Sequence, residues 1–447
     1  MSLPRLVVAA PATGQGKTTV ATGLMAALAA RGLEVSGHKV GPDYIDPGYH
    51  ALACGRPGRN LDPHLVGEDL IVPLLLHGAM TPRPADIAVL EGVMGLYDGR
   101  IGGRGHSSTA HVAALTRSPV LLVVDISRSS RSVGAVVHGM ASWDRSVDVV
   151  GVVLNQAGSP RHVAEVRSAV SLPVLGAIPR DEAIATPSRH LGLVPAAERG
   201  LSAASLERLA EQVATHVDLD AVLELAATAP DLDRPAWDPR AVLDRPGGPA
   251  PAVAVAGGRA FTFRYTETDE LLDAAGCRVA TFDPLRDRGL PPGTAGIYLG
   301  GGFPEVHATE LAGNTELRRA LAEAVADGIP TVAECAGLLY LARSIDRTPM
   351  VGAVDARAAM TDRLTLRYPE ATAVADTLLT RAGQRVTGHE FHRTRTDPVS
   401  GRRPAWLIDG EPTGFATTSL HASYLHTHWA GHPDLARRFA EAVHARG

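Results

Sequence analysis

The chain has 447 residues, with 48 acidic side chains against 43 basic ones and a formal net charge of −5. It lacks the polycationic surplus that grips nucleic acid or an anionic membrane, and 45% hydrophobic residues supply cores that a disordered chain could not build. The length predicts two or three domains, and an aromatic content of only 4% beside abundant Ala, Val, Leu and Gly suits helices on parallel strands better than an aromatic-rich sandwich. Met1 to Arg5 runs into a short apolar stretch ended by Pro11, which reads as neither a signal peptide nor a spanning helix, so the expected compartment is the cytoplasm. Cys54, Cys277 and Cys335 form no CxxC pair and no disulfide framework. Among the 43 basic residues only Lys17 and Lys39 are lysine. A coding bias toward arginine explains the skew. The two survivors persist by chance or mark places where a compact ammonium is required.

In chain order, Arg5 to Ala10 predicts a buried strand and Thr18 to Arg31 a helix, with a Gly-containing loop, Pro11 to Lys17, between them. Further strands are expected at Glu34 to Val40, Asp86 to Leu90, Pro119 to Asp125, Asp148 to Leu154 and Pro173 to Ile178, with helical stretches between several of them. This alternation predicts a parallel sheet covered on both faces. Leu201 to Leu225 reads as helix, and Thr228 to Pro251, crowded with Pro, Gly, Asp and Arg, reads as a linker. A second alternation follows, with strands expected at Ala252 to Ala256, Gly296 to Leu299, Thr331 to Ala333 and Thr417 to Tyr424.

Gly14-Gln15-Gly16-Lys17-Thr18 ends as a phosphate loop ends. Small residues let backbone N–H groups approach a polyphosphate, Lys17 reaches the terminal phosphates and Thr18 ligates magnesium. Pro11 stands where the full pattern has its first glycine. Two acidic clusters follow expected strands, Lys39 to Pro47 and Glu91 to Gly99, at the sheet edge where open α/β folds bind ligands. Their carboxylates serve a metal or merely cap turns. Asp125 is a further candidate or a helix cap, and Asn155 either bonds a nucleobase or closes a turn.

In the second half, Thr331 to Tyr340 reads as strand, sharp turn and helix with Cys335 at the turn, a setting expected to expose a nucleophile and lower its pKa through the helix N-terminus. Cys54 and Cys277 read as small buried hydrophobes. A base is offered by His421 to His428, where alternation along a strand would put His426 and His428 on one face. Gly300 to Glu305 follows another strand, and the N–H groups of Gly301 and Gly302 are candidates for an oxyanion site.

With KVGPDYIDPGYH at Lys39 to His50, EGVMGLYDG at Glu91 to Gly99, GGGFPE at Gly300 to Glu305, ECAGLLYL at Glu334 to Leu341, GHEFH at Gly388 to His392 and SYLHTHW at Ser423 to Trp429, the chain resembles the cobyrinic or hydrogenobyrinic acid a,c-diamide synthases of corrin biosynthesis. The resemblance runs nearly end to end. It implies a dethiobiotin-synthetase-like P-loop ATPase domain at 1–228, a linker at 229–250 and a flavodoxin-like class I glutamine amidotransferase domain at 251–447. It also implies ATP and Mg²⁺ as cofactors, and a corrinoid acid and glutamine as substrates. A homodimer is compatible with the sequence. Matched position by position, Cys335 is the nucleophile and Asp43 and Glu91 the magnesium carboxylates. Asp46 and Asp98 handle the corrinoid acid or its acyl phosphate, and His426, with His428 behind it, is the base. Ala333, Ala336 and Arg393 depart from the family pattern, which has glycine at the first two and an aromatic at the third. Cobyric acid synthase and the nickel-sirohydrochlorin a,c-diamide synthase are the nearest alternatives. A partition-type ATPase switch is a different-class one, and its signature lysine is replaced here by Ala12.

Overall fold

A computed structural model describes residues 2–181, 188–189, 192–193, 203–243 and 245–447. The chain divides into two compact units, Met1–Trp237 and Asp238–Gly447. Within the Pro- and Asp-rich stretch 229–250, Trp237 is buried, donates its N–H to Pro73 O at 2.9 Å and meets His77 edge-on. It therefore packs as part of the first unit.

The first unit is a seven-stranded sheet built from β1 (Arg5–Ala9), β2 (Val35–Val40), β3 (Arg59–Leu61), β4 (Ile87–Glu91), β5 (Val120–Asp125), β6 (Val149–Ala157) and β7 (Val174–Pro179). The order is β3-β2-β4-β1-β5-β6-β7 and every pairing is parallel. The central strands β1, β4 and β5 are near-continuous runs of Val, Leu, Ile and Ala, as strands covered on both faces are, whereas β2 (VSGHKV) and β3 (RNL) bury polar residues. Arg5, the exception in β1, is buried with its guanidinium donating to Leu3 O, Thr116 O and Pro230 O. Among the strands, β3 was not expected; three residues are too few to carry a period. Helix α1 (Lys17–Ala30) follows β1, and α2 (Asp46–Cys54) follows β2. Later come α3 (Thr109–Thr116), α4 (Ser132–Ser142) and α5 (Ala203–His216). A Cβ on Gly23 of α1 would sit 2.6 Å from Val213 of α5, so glycine there sets how closely the two helices approach. The single helix expected over Leu201 to Leu225 is two, Ala203–His216 and Leu219–Ala227, the second capped by Asp218; Leu201 and Ser202 lie outside the described residues.

The second unit holds β8 (Ala252–Ala256), β9 (Arg278–Phe282), β10 (Thr294–Leu299), β11 (Thr331–Glu334), β12 (Arg357–Arg367), β13 (Glu390–Asp397), β14 (Phe415–Ala416) and β15 (Leu420–Ser423), among shorter strands. Six of these form a sheet of order β9-β8-β10-β11-β15-β14, parallel except for its β14 edge. β12 and β13 pair antiparallel in a separate sheet. Helix α6 (Ala336–Leu341) starts directly after β11. In both units the residues singled out for chemistry fall at the carboxyl ends of parallel strands.

Two candidate active sites at strand ends

In the first unit, α1 opens at Gly16, which has φ +87° and supplies no side-chain cap, so the first N–H groups of the helix keep their donor capacity. Gly16 must be glycine for a second reason: an added Cβ would lie 2.2 Å from Asn155 Nδ2. Asn155 Nδ2 donates to Gln15 O at 2.9 Å, and Asp125 N–H donates to Gln15 Oε1 at 2.8 Å. Asn155, a candidate for reading a nucleobase, therefore braces the loop from β6. Asp125 accepts the N–H of Ser127 in the turn after β5, and the helix that follows starts at Ser132 with Arg131 as its N-cap, so Asp125 is not its cap.

Around that loop the structure gathers both lysines and four carboxylates. Thr18 Oγ1 donates to Glu91 Oε1 at 2.5 Å and lies 3.2 Å from Asp46 Oδ2. Lys39 Nζ, 4% exposed, reaches Asp46 Oδ2 at 2.6 Å, Glu91 Oε1 at 2.9 Å and Gly92 O at 3.0 Å. His50, buried in α2, holds Glu91 Oε2 at 2.7 Å. Burial works against the Lys39 charge, but Asp46, Glu91 and Asp43 outweigh it and raise the ammonium's pKa. Burial likewise disfavours ionised Glu91, yet Lys39 and the His50 hydrogen bond hold it well below the usual carboxylate range. Asp46 is left short: burial, then Asp43 and Glu91, outweigh Lys39 and raise it well above its ordinary value. Lys17 is pulled down to about 8 by burial and by Lys39, and its ammonium is parked on Met94 O. The cluster carries more negative charge than its two ammonium groups balance comfortably.

The two carboxylates of GPDYIDP occupy different settings. Asp46, expected to face the corrinoid acid, sits beside Thr18. Asp43, expected on magnesium, accepts the N–H groups of Ile45 and Asp46 through Oδ1, at 2.8 and 3.1 Å, in the turn before α2. Asp98 Oδ2 accepts Gly95 N–H at 2.9 Å in the loop that also carries Met94. Lys39, one of the two lysines, sits where a compact ammonium meets two carboxylates, and His50 was not a candidate from the sequence. The spacing of β2, β4 and α2 makes them partners of Glu91.

In the second unit, Cys335 caps α6 with φ +47° and ψ −96°, a strained turn that lifts the residue off the strand end. The expectation of a low thiol pKa is overturned. Burial pushes the thiol well up, and Glu305 and Glu390 add to the shift, while Ala336 N–H opposes it. A helix of six residues has too little dipole to outweigh full burial beside carboxylates. Burial raises Cys277 too, to about 11, and Cys54 to about 12, as befits packing residues.

The glycine turn after β10 is also corrected. Gly301 N–H donates to Phe263 O at 2.9 Å, so it is not available to an oxyanion. Glycine is needed for space at both positions: a Cβ on Gly301 would lie 2.7 Å from His426 Cε1, and one on Gly302 would lie 2.1 Å from Ala260 O. Only Gly301 is excluded, and the Gly302 N–H stays a candidate. The expected strand through the histidine run ends at Ser423, and His426 lies in an isolated bridge to His389, so strand alternation does not describe His426 and His428. Each buried imidazole faces its own carboxylate. His426 Nδ1 is 3.6 Å from Glu334 Oε2 and its ring stacks on His389, whereas His428 Nε2 is 3.5 Å from Glu267 Oε2 beneath Tyr265. Glu334, the residue before Cys335, also accepts from Tyr298 OH at 3.0 Å and from Thr427 N–H and Oγ1 at 3.2 and 3.0 Å. Nothing in the sequence alone singled it out.

Comparison with known proteins matches this layout. Residues 6–194 fit the CobQ/CobB/MinD/ParA nucleotide binding domain and residues 252–434 the CobB/CobQ-like glutamine amidotransferase domain. Over 99% of its length the chain is 61% identical to a hydrogenobyrinate a,c-diamide synthase of Thermobifida fusca, covering 97% of that protein. It is 54% identical to the Streptomyces coelicolor protein of the same name, with 98% and 97% of the two chains covered. It is 39% identical to a cobyrinate a,c-diamide synthase of Dehalococcoides mccartyi, with 98% of each covered. The chain belongs to the a,c-diamide synthase family, with a P-loop nucleotide-binding domain followed by a CobB/CobQ-type glutamine amidotransferase domain.

Proposed function

We infer that the chain amidates the a and c side-chain carboxylates of hydrogenobyrinic or cobyrinic acid in cobalamin biosynthesis, using ATP and the amide nitrogen of glutamine. The observation that carries this reading is the convergence of Thr18, Asp46 and Glu91 beside Lys17 at one sheet edge, in a chain whose other unit buries a thiol, an imidazole and a carboxylate together. The γ-phosphoryl group of ATP passes to a substrate carboxylate, giving an acyl phosphate and ADP; ammonia attacks the acyl carbon and phosphate departs. Gly14, Gly16 and the α1 N-terminus cradle the phosphates, and Lys17 meets the charge that develops on them. Thr18, Asp46 and Glu91 are hard oxygen donors and fit magnesium, which when bound neutralises phosphate charge. Asp43 shapes the turn that presents Asp46, and Asp98 handles the tetrapyrrole acid.

In the glutaminase half, Cys335 gives its proton to His426 and attacks the glutamine amide carbon. The imidazolium protonates the leaving ammonia, and water hydrolyses the thioester to glutamate. Glu334 is a positioning residue that fixes His426 through Nδ1; the pairing of His428 with Glu267 favours His426 as the base. The partition-type switch is set aside, because the family match continues through residues 252–434. Among the described residues no helix is long and apolar enough to cross a membrane; we place the enzyme in the cytoplasm, and sedimentation decides between a monomer and a homodimer. An assay with ATP and glutamine, offering hydrogenobyrinic and cobyrinic acid side by side, tests the reading. Diamide from at least one acid is expected, and the metal-free acid is favoured by the relatives' names. Turnover only with cobyric-type or nickel-sirohydrochlorin substrates would overturn it.

A further inference from the structure

Outside the phosphate-loop cluster, the first unit contains a cavity of about 1010 Å³ that no step above uses. Its volume stands at the top of the roughly 300–1,000 Å³ range of small-molecule sites. One wall is apolar and aromatic: Tyr97, Val136, Met140 and Trp143. Trp143 is 77% exposed, whereas Trp237, Trp406 and Trp429 are at 7%, 1% and 0%. Three of the four tryptophans therefore serve cores, and the fourth offers its face to solvent at a cavity rim. Tyr97 keeps its ring beside Trp143, centroids 6.5 Å apart, by donating its hydroxyl to Met140 O at 2.6 Å.

The loop between β4 and α3, which carries Tyr97, also supplies polar lining. That loop links the two places. Its first part supplies Met94 O to Lys17 and Asp98 to the same neighbourhood, and Leu96 N–H donates to Ala10 O just before the phosphate loop. Its second part, residues 103–108, lines the cavity with Arg104 and His106. Met94, Arg104 and Ser107 hold positive φ, three of the eight such non-glycine residues among those described, so the loop keeps a shape its residues would not choose unaided.

Glu68, His106 and His111 approach closely enough to suggest a metal site, and the hydrogen bonding argues against one. Ser107 N–H donates to His111 Nδ1 at 3.1 Å, so that nitrogen is an acceptor and the ring proton sits on Nε2, 3.3 Å from Glu68 Oε1. A metal at Nε2 would need the proton on Nδ1, where a donor already points. Glu68 is thus engaged by the histidines, and Asp144, the other carboxylate at the rim, by the Ser146 N–H and hydroxyl at 2.9 and 2.8 Å. Arg104 has no ion-pair partner among the described residues and is the cation left to meet an incoming carboxylate.

We propose that this cavity is the seat of the tetrapyrrole acid, with the apolar face of the macrocycle on Trp143 and Met140 and peripheral carboxylates toward Arg104 and His106; this rests on the substrate reading above. The loop from Glu91 to Ser108 then delivers one carboxylate edge toward Asp98 and Lys17. The test measures binding of hydrogenobyrinic acid to the full chain by calorimetry, for the parent, Trp143→Ala and Arg104→Asn, the latter because Asn tolerates positive φ. Trp143 is exposed, so its loss leaves the fold intact. Each substitution is expected to weaken binding by about 10-fold or more, with magnesium-ATP affinity and glutamine hydrolysis unchanged. Parental affinity in both variants would overturn the placement alone. Absence of binding to the parent would overturn the placement together with the reading beneath it. A change in sedimentation on Trp143→Ala with parental affinity would assign the patch to a second copy of the chain and refute the proposal.

Discussion

Charge is concentrated at the phosphate loop and withheld at the thiol. In the first unit, Lys39, Thr18 and His50 contact Asp46 and Glu91 at 2.5–3.2 Å, with Lys17 beside them. In the second, Cys335 is buried and its pKa is pushed up, and His426 stands 3.6 Å from the carboxylate of the neighbouring Glu334. The difference follows from the two chemistries. Phosphoryl transfer moves charge that is always present, so the site must oppose it with fixed ions. A thiol has to become a nucleophile only when glutamine is there, and one that stays protonated otherwise is protected from oxidation.

The sharpest way to break this contrast is to remove the buried ammonium that holds the first cluster together. Lys39→Met leaves Asp46 and Glu91 buried without their cation and is expected to cost about 3–5 kcal/mol of unfolding free energy. Urea unfolding monitored within the first unit checks it, and a change near zero would mean that solvent or proton uptake replaces Lys39 at no cost. A smaller effect separates the two aspartates. Asp46→Asn should weaken magnesium-dependent nucleotide binding by about 10-fold or more, whereas Asp43→Asn should act mainly through the turn before α2 and weaken it less. Equal losses would return Asp43 to the metal. The smallest effect is a proton. Lys17 has its pKa drawn down to about 8 from 10.5, and a bound triphosphate restores its charge. Nucleotide binding should therefore take up a proton between about pH 8 and 10.5 and lose affinity as pH rises through that window. Calorimetry in buffers of different ionisation enthalpy measures the uptake, and Lys17→Met should abolish it.

What could be seen in the sequence was what is contiguous in it. The phosphate loop, GPDYIDP and ECAGLLYL each place their residues on one strand–turn–helix unit, and six of the seven strands of the first unit, all but β3, were legible as runs bounded by turn residues. The antiparallel pair β12–β13 was not, because β12, RAAMTDRLTLR, is largely exposed and has no apolar alternation to read. Glu334 escaped notice because its role depends on Tyr298 in β10 and on His426 and Thr427 beyond β15. Asp43 and Asp46 are three residues apart, and only the start of α2 decides which is tied into the turn. The thiol pKa was misjudged because a helix N-terminus is visible in sequence and burial beside Glu305 and Glu390 is not.

The central claim is that the two units perform separable chemistry, ammonia production at Cys335 and carboxylate activation at Lys17. Cys335→Ala tests it directly, with amidation followed once with glutamine and once with high ammonium at raised pH, where more NH₃ is free. The account predicts that glutamine-dependent amidation falls by about 10⁴-fold or more while ammonia-dependent, ATP-driven amidation persists near the parental rate. A variant that still amidates with glutamine, or one that is natively folded yet inactive with both nitrogen sources, would contradict it.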